Sequence, residues 1–167
     1  IAMGFEEGFA EWLNREFPLD VRLARQGERP GLGAGRLAPA GAHLALGPDG
    51  VLHLDALRPP RRGHRPAVDE LFLSCAEVAP RNTAGVLLTG MGTDGVEGLL
   101  ALRREGGLTV VQDEASSAVF GMPRVALERN AADLALPPRE IAAWLAVAWL
   151  ASLAPSSPLS SPSETPR

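Results

Sequence analysis

The chain contains no lysine and no tyrosine, one cysteine and few aromatic residues, 5% of its 167 positions. Cys75 alone can close no intramolecular disulfide and build no cysteine metal cluster, so a reducing compartment is expected, with the cytoplasm as the default. All 16 basic residues are arginine, a bias that reads as codon composition and carries no functional weight. Against 20 acidic residues they leave a net charge of −4 with no block of like charge. That balance argues against a general binder of phosphate backbones, and no nucleic-acid partner is expected. Long hydrophobic runs are also missing: the most apolar stretch, Ile141 to Leu153, falls well short of the roughly 20 residues a helix needs to span a bilayer. The start IAMGFEEGF has no basic n-region, no apolar h-region and no small-residue cleavage site, so it is not read as a secretory signal. It does not begin with methionine.

What is present suffices for one core. A chain of this length buries roughly two-thirds of its unfolded surface, and 46% of its residues are hydrophobic. Phe9, Trp12, Leu13 and Phe17 recur at spacings of three and four, with Glu6 and Glu7 suited to a first turn, and predict an amphipathic helix ended by Pro18. Between Val21 and Leu57 the runs VRLA, GRLA, HLAL and VLHL are separated by Gly and Pro, with a turn signal at Gly47-Pro48-Asp49-Gly50. They predict a small antiparallel hairpin region. A basic loop, Arg58 to Pro66, precedes a second helical stripe of Val68, Leu71, Phe72, Cys75 and Val78.

The second half alternates. GVLLT is a short apolar run, GMGTDG a glycine turn, Val96 to Glu105 a helix, LTVVQ another apolar run, and Pro123 to Arg129 a helix. Alternating strands and helices predict parallel βαβ units. LALP is a last strand, and Pro138 suits the first position of a helix to about Leu153. The Ser/Pro-rich stretch from Pro155 is expected to be a disordered tail. Trp144 and Trp149 on the last helix are read as packing residues.

Gly90-Met91-Gly92-Thr93-Asp94-Gly95 satisfies G-x-G-x-x-G after a strand and before a helix, and Asp113 and Glu114 lie where an acid would bind a ribose hydroxyl. Taken alone, this suggests dinucleotide binding. Glycines allow close backbone approach, and helix N-terminal N–H groups stabilise any negative charge, pyrophosphate or developing oxyanion alike. Against pyrophosphate stands Asp94, a carboxylate inside the turn. At the carboxyl end of a parallel strand, Asp94 could be a helix cap, or could hold a histidine in the right tautomer as in a Ser-His-Asp triad.

The segments GVLLTGMGTDGVEGLLALRREGG and VVQDEASSAVFGMPRVAL, with HRPAVDELF, LAPAGAHLAL and GFEEGFAEWLN, resemble the catalytic domain of the chemotaxis protein-glutamate methylesterases, the CheB-like proteins. The resemblance runs from Gly4 to about Leu150. It implies an open, mostly parallel, doubly wound α/β sheet with a small antiparallel hairpin region, one catalytic domain over residues 1–154, and a tail over 155–167. It also implies hydrolysis of glutamate γ-methyl esters on chemoreceptors by a serine nucleophile, a histidine base and an aspartate, without a cofactor; some members also deamidate receptor glutamines. The aspartate falls on Asp94, and the Met91 backbone N–H falls where the family contributes to its oxyanion hole; packing of the Met91 side chain under the turn is the structural alternative.

The family's nucleophilic serine and its histidine would both precede Ile1, the histidine immediately so. The chain is therefore expected to be a piece of a longer esterase, with a non-catalytic receptor-binding remnant as the alternative and a dinucleotide-binding oxidoreductase as a minor one. His43, His53 and His64 are expected to be structural, with His64 the nearest to the site. Ser116 and Ser117 are candidate site-lining groups without a base. Expected partners are the cytoplasmic helices of methyl-accepting chemoreceptors and a receiver domain on an upstream or separate segment. Arg58, Arg61, Arg62 and Arg65 could steer an acidic receptor surface to the site.

Overall fold

The computed structural model describes residues 4–153; the expected tail lies outside them, as does the side chain of Trp149. Helix α1 (Glu6–Glu16) ends where Phe17 turns extended, at φ −132° and ψ 146°, as the residue before a proline must. Its aromatic stripe is not buried among the described residues. Phe9 and Trp12 stack with centroids 5.8 Å apart on the open face, while Ala10 packs inward.

Strands β1 (Asp20–Leu23) and β2 (Ala34–Leu37) pair in parallel, Val21 opposite Gly35. The expected hairpin region is therefore only half antiparallel. Between these strands the chain loops back to its starting end, where Arg36 Nε donates to Glu28 Oε1 at 2.6 Å and Arg36 Nη1 to the Asp20 carbonyl at 2.8 Å. Strands β3 (His43–Leu46) and β4 (Leu52–Asp55) form the true hairpin, and the Gly47–Asp49 turn sets Leu46 opposite Leu52. Ala24, Leu44 and Leu52 close a small core beneath it.

Helix α2 (Val68–Val78) leads through a 3₁₀ turn to β5 (Ala84–Leu87), α3 (Val96–Arg104), β6 (Leu108–Gln112), α4 (Met122–Glu128), β7 (Leu134–Leu136) and α5 (Pro138–Leu153). β5, β6 and β7 form a parallel sheet in that order, as strand–helix alternation requires. Together the elements make the mostly parallel α/β fold that the sequence predicts. Leu87, Val96, Leu99, Val111, Ala126 and Ala131 form the main core between this sheet and its helices. Trp144 on α5 is half-buried.

The α2–α3 seam is close-packed because of one glycine. A Cβ on Gly98 would stand 2.6 Å from the Phe72 Cβ and 2.9 Å from the Asp69 carbonyl oxygen, so α3 could not approach α2 with any larger residue there.

Candidate active site at the carboxyl ends of β5 and β6

In an open parallel sheet, sites form beyond the carboxyl ends of the strands. Here β5 runs into the turn Thr89–Gly95 and β6 into the loop Asp113–Gly121. The two are laced together. The Gly90 N–H donates to the Val119 carbonyl at 3.1 Å, the Met122 N–H to the Gly90 carbonyl at 2.9 Å, and Thr89 Oγ1 to the Val119 carbonyl at 3.1 Å. Gln112, buried at the end of β6, accepts the Thr89 N–H at 2.8 Å and donates to the Ser116 carbonyl at 2.9 Å. The glycine turn is thus fixed from beneath by an amide that spans both loops.

Met91 stands at the tip of this turn. Its side chain is 84% exposed, so packing beneath the turn, the structural alternative for this residue, is not what the structure has. Among the described residues its backbone N–H has no protein acceptor, which leaves a donor open at the sheet's carboxyl edge.

Asp94 follows in the same turn. Gly95, at φ +91°, adopts the left-handed conformation that lets the chain enter α3 directly behind it. The Asp94 Oδ2 accepts the Val68 N–H at 2.9 Å and Oδ1 the Asp69 N–H at 3.1 Å. These are orphan donors of α2, whose N-cap residue, Ala67, has no side chain able to satisfy them. Asp94 thus caps α2 from a distance and not α3, the helix it precedes, and these two bonds orient the carboxylate.

The basic loop surrounds the same seam. Arg61 donates to Glu70 Oε1 at 2.8 Å, approaches Glu97 Oε1 at 2.9 Å, and lies 3.7 Å from the fully buried Asp69. Arg58 pairs with Glu70, and Arg62 reaches Glu97 Oε2 at 3.0 Å and Thr93 Oγ1 at 3.5 Å. Arg65 donates to the carbonyls of Ala56 and Arg58. Burial raises the Glu70 carboxyl, yet the hydrogen bonds of Arg61 and Arg58 outweigh it and hold the group below the usual carboxylate range. The arginines expected to steer an acidic partner are engaged within the protein, and Arg61 among them joins α2 to α3.

The remaining candidates are less concentrated. His64 is exposed and meets Arg61 only through a backbone pair, Arg61 N–H to the His64 carbonyl at 3.0 Å and the reverse at 2.9 Å. Ser116 Oγ donates to Asp113, which also accepts the Ser116 N–H at 3.1 Å, and Ser117 Oγ donates to the Asp113 carbonyl at 2.6 Å. Asp113 is thus occupied within its own loop. His53 lies on the hairpin, 3.2 Å from the Gln26 amide. His43, unlike both, is buried, with both ring nitrogens engaged. Among the described residues no group of three or more His, Cys, Asp or Glu side chains is placed to hold a metal ion, and no helix is long and apolar enough to cross a membrane.

A family described as CheB methylesterase matches residues 1–145. Over 141 residues the chain is 51% identical to the protein-glutamate methylesterase/protein-glutamine glutaminase 2 of Anaeromyxobacter dehalogenans, covering 84% of this chain and 41% of that protein. It is 46% identical over 145 residues to the protein-glutamate methylesterase FrzG of Myxococcus xanthus, covering 87% of this chain and 43% of that protein. The crystal structure of the Thermotoga maritima CheB methylesterase catalytic domain superposes with a TM-score of 0.79 at 34% identity, covering 84% of this chain and 76% of that one. The chain spans about two-fifths of the length of these curated relatives.

Proposed function

The chain belongs to the CheB methylesterase family, and on that premise we propose that it forms part of an esterase that hydrolyses glutamate γ-methyl esters on the cytoplasmic helices of chemoreceptors. Asp94 supplies the acid of a Ser-His-Asp triad, and the Met91 N–H donates into the oxyanion hole. The proposal assigns neither the serine nor the histidine of that triad to residues 1–154, which it takes as one catalytic domain.

The reaction follows from nucleophilic catalysis. The serine hydroxyl attacks the ester carbonyl while the histidine takes its proton, and the tetrahedral oxyanion is met by backbone N–H groups. Collapse expels methanol, which receives the proton, and leaves an acyl-enzyme. Water, deprotonated by the same histidine, then releases the glutamate carboxylate and regenerates the serine. Asp94 orients the imidazole and offsets the charge of the imidazolium. The same route converts a glutamine side chain, with ammonia in place of methanol.

The observation that carries this reading is the geometry of the glycine turn. A carboxylate held by two backbone N–H groups lies three residues beyond an unfilled backbone donor, both at the carboxyl edge of a parallel sheet. The test is methanol release from methylated receptor by a chain that includes the upstream segment. Turnover that disappears with D94A supports the proposal, and turnover indifferent to D94A overturns it. Ser116 and His64 would line the approach to the site without taking part in proton transfer.

A further inference from the structure

His43 begins β3, on the antiparallel hairpin rather than on the main sheet, and its ring is 2% exposed. Both ring nitrogens are engaged. Nδ1 lies 3.3 Å from the Ala67 backbone nitrogen, and Nε2 lies 3.2 Å from the Pro59 carbonyl oxygen. An amide N–H can only donate and a carbonyl can only accept. The ring therefore carries its proton on Nε2, gives it to Pro59, and receives the Ala67 N–H on Nδ1. Ala67 is itself 3% exposed, so no water stands ready to replace the histidine as acceptor.

Ala67 is the residue from which α2 starts, and the next two N–H groups, those of Val68 and Asp69, are the ones that hold Asp94. Three successive donors at one helix start are thus taken by two side chains. His43 fixes where the helix begins, and Asp94 sits on the two donors that follow. A shift of Ala67 would carry the Val68 and Asp69 N–H groups with it. A displacement of about 1 Å at an orienting group is costly to reactions that depend on geometry.

We propose that His43 is a positioning residue for Asp94, acting through the start of α2. Its kinetic consequence rests on the esterase reading above, but its structural consequence does not. It touches no substrate.

The test compares wild type with H43L and H43N, each made in the chain extended upstream of Ile1, by amide hydrogen exchange and by steady-state kinetics. Leucine fills the space without an acceptor, whereas the side-chain carbonyl of the asparagine in H43N can take the Ala67 N–H. We expect exchange of the Val68 and Asp69 amides to quicken about tenfold or more in H43L, with Val110 and Val111 in the central strand unchanged, and to stay near wild type in H43N. In the same pair kcat falls about tenfold with KM within about twofold for H43L, and recovers in H43N. Unchanged Val68 and Asp69 exchange in H43L overturns the proposal, and so does an acceleration shared equally by Val110 and Val111. Should H43L fail to fold, H43A, which likewise offers the Ala67 N–H no acceptor, takes its place: quickened exchange at Val68 and Asp69 that H43N does not show supports the proposal, and unchanged exchange overturns it. Absence of ester turnover in wild type would sink the esterase reading while leaving the exchange result to judge His43.

Discussion

Asp94 and Asp69 cap each other's helices. Asp94, just before α3, accepts the Val68 and Asp69 N–H groups of α2, and Asp69, in the first turn of α2, accepts the Gly98 N–H of α3 at 2.9 Å. Neither helix has a capping side chain of its own, since the N-cap positions are Ala67 and Gly95. The exchange ties the proposed triad acid to a rigid seam rather than to a free loop.

Replacing Asp94 with alanine therefore has two effects of different size. The exposed Val68 N–H and the half-buried Asp69 N–H lose their acceptor, which should cost about 1–2 kcal/mol in a urea titration. Methanol release should fall by orders of magnitude, far more than that loss of stability explains at temperatures where the variant stays folded.

Arg61 is the cation on which the seam converges. Among the described residues, its removal leaves Asp69, fully buried, with no cation within 4 Å, and leaves Glu70 with Arg58 alone. R61A should lower stability by about 2–4 kcal/mol, somewhat less than a fully buried pair because Arg61 is itself partly exposed. A denaturation midpoint equal to wild type would refute this. With Arg58, Arg61 and Arg62 all paired internally, kcat/KM should also change little with added salt, unlike a site reached by steering through these arginines.

Acid should loosen this seam and also the link that Asp133 makes between the end of α3 and β6. The Glu70 carboxyl, whose burial is outweighed by the hydrogen bonds of Arg61 and Arg58, has a folded pKa below its unfolded one. Asp133, whose burial is likewise outweighed by the hydrogen bonds of Arg103 and Thr109, behaves in the same way. The folded state holds these protons more weakly than the unfolded state, so their contribution is complete above the unfolded values of about 4 and is lost as pH falls through the folded ones. Stability measured from pH 6 downward should decline below about pH 4.5, and E70Q should flatten part of that decline.

Gly98 supplies a packing test. A methyl there meets the Phe72 Cβ and the Asp69 backbone, neither of which can swing aside. G98A should destabilise by about 1–3 kcal/mol despite alanine's better helix propensity, and should lower turnover because the seam that holds Asp94 must widen. A neutral or stabilising G98A would contradict the packing described here.

The sequence is most legible where the signal is local. The Gly47–Gly50 turn predicts the β3–β4 hairpin, and the second half's alternation predicts its parallel sheet, with α4 displaced by a single residue from the expected Pro123–Arg129. The parallel pairing of β1 with β2 is not legible, because strands that are not joined by a tight turn leave no turn chemistry to read. The stripe of Phe9 and Trp12 predicts α1, but periodicity does not say what covers a face. Asp94 stands out through its motif. His43 does not, because its partners are the backbone groups of Ala67 and Pro59, which have no sequence signature. His64, closer to the motif in the chain, is exposed. The fate of the basic loop turns on Glu70 and Glu97, which only the packing of α2 against α3 brings to it.

The most direct measurement is methanol release from methylated chemoreceptor by the 167-residue chain beside a chain extended upstream of Ile1, each with and without D94A. The account predicts turnover by the extended chain alone, and its loss by orders of magnitude with D94A. Equal turnover by the 167-residue chain would contradict it, placing the nucleophile among Ser74, Ser116 and Ser117 and a histidine of this chain as the base.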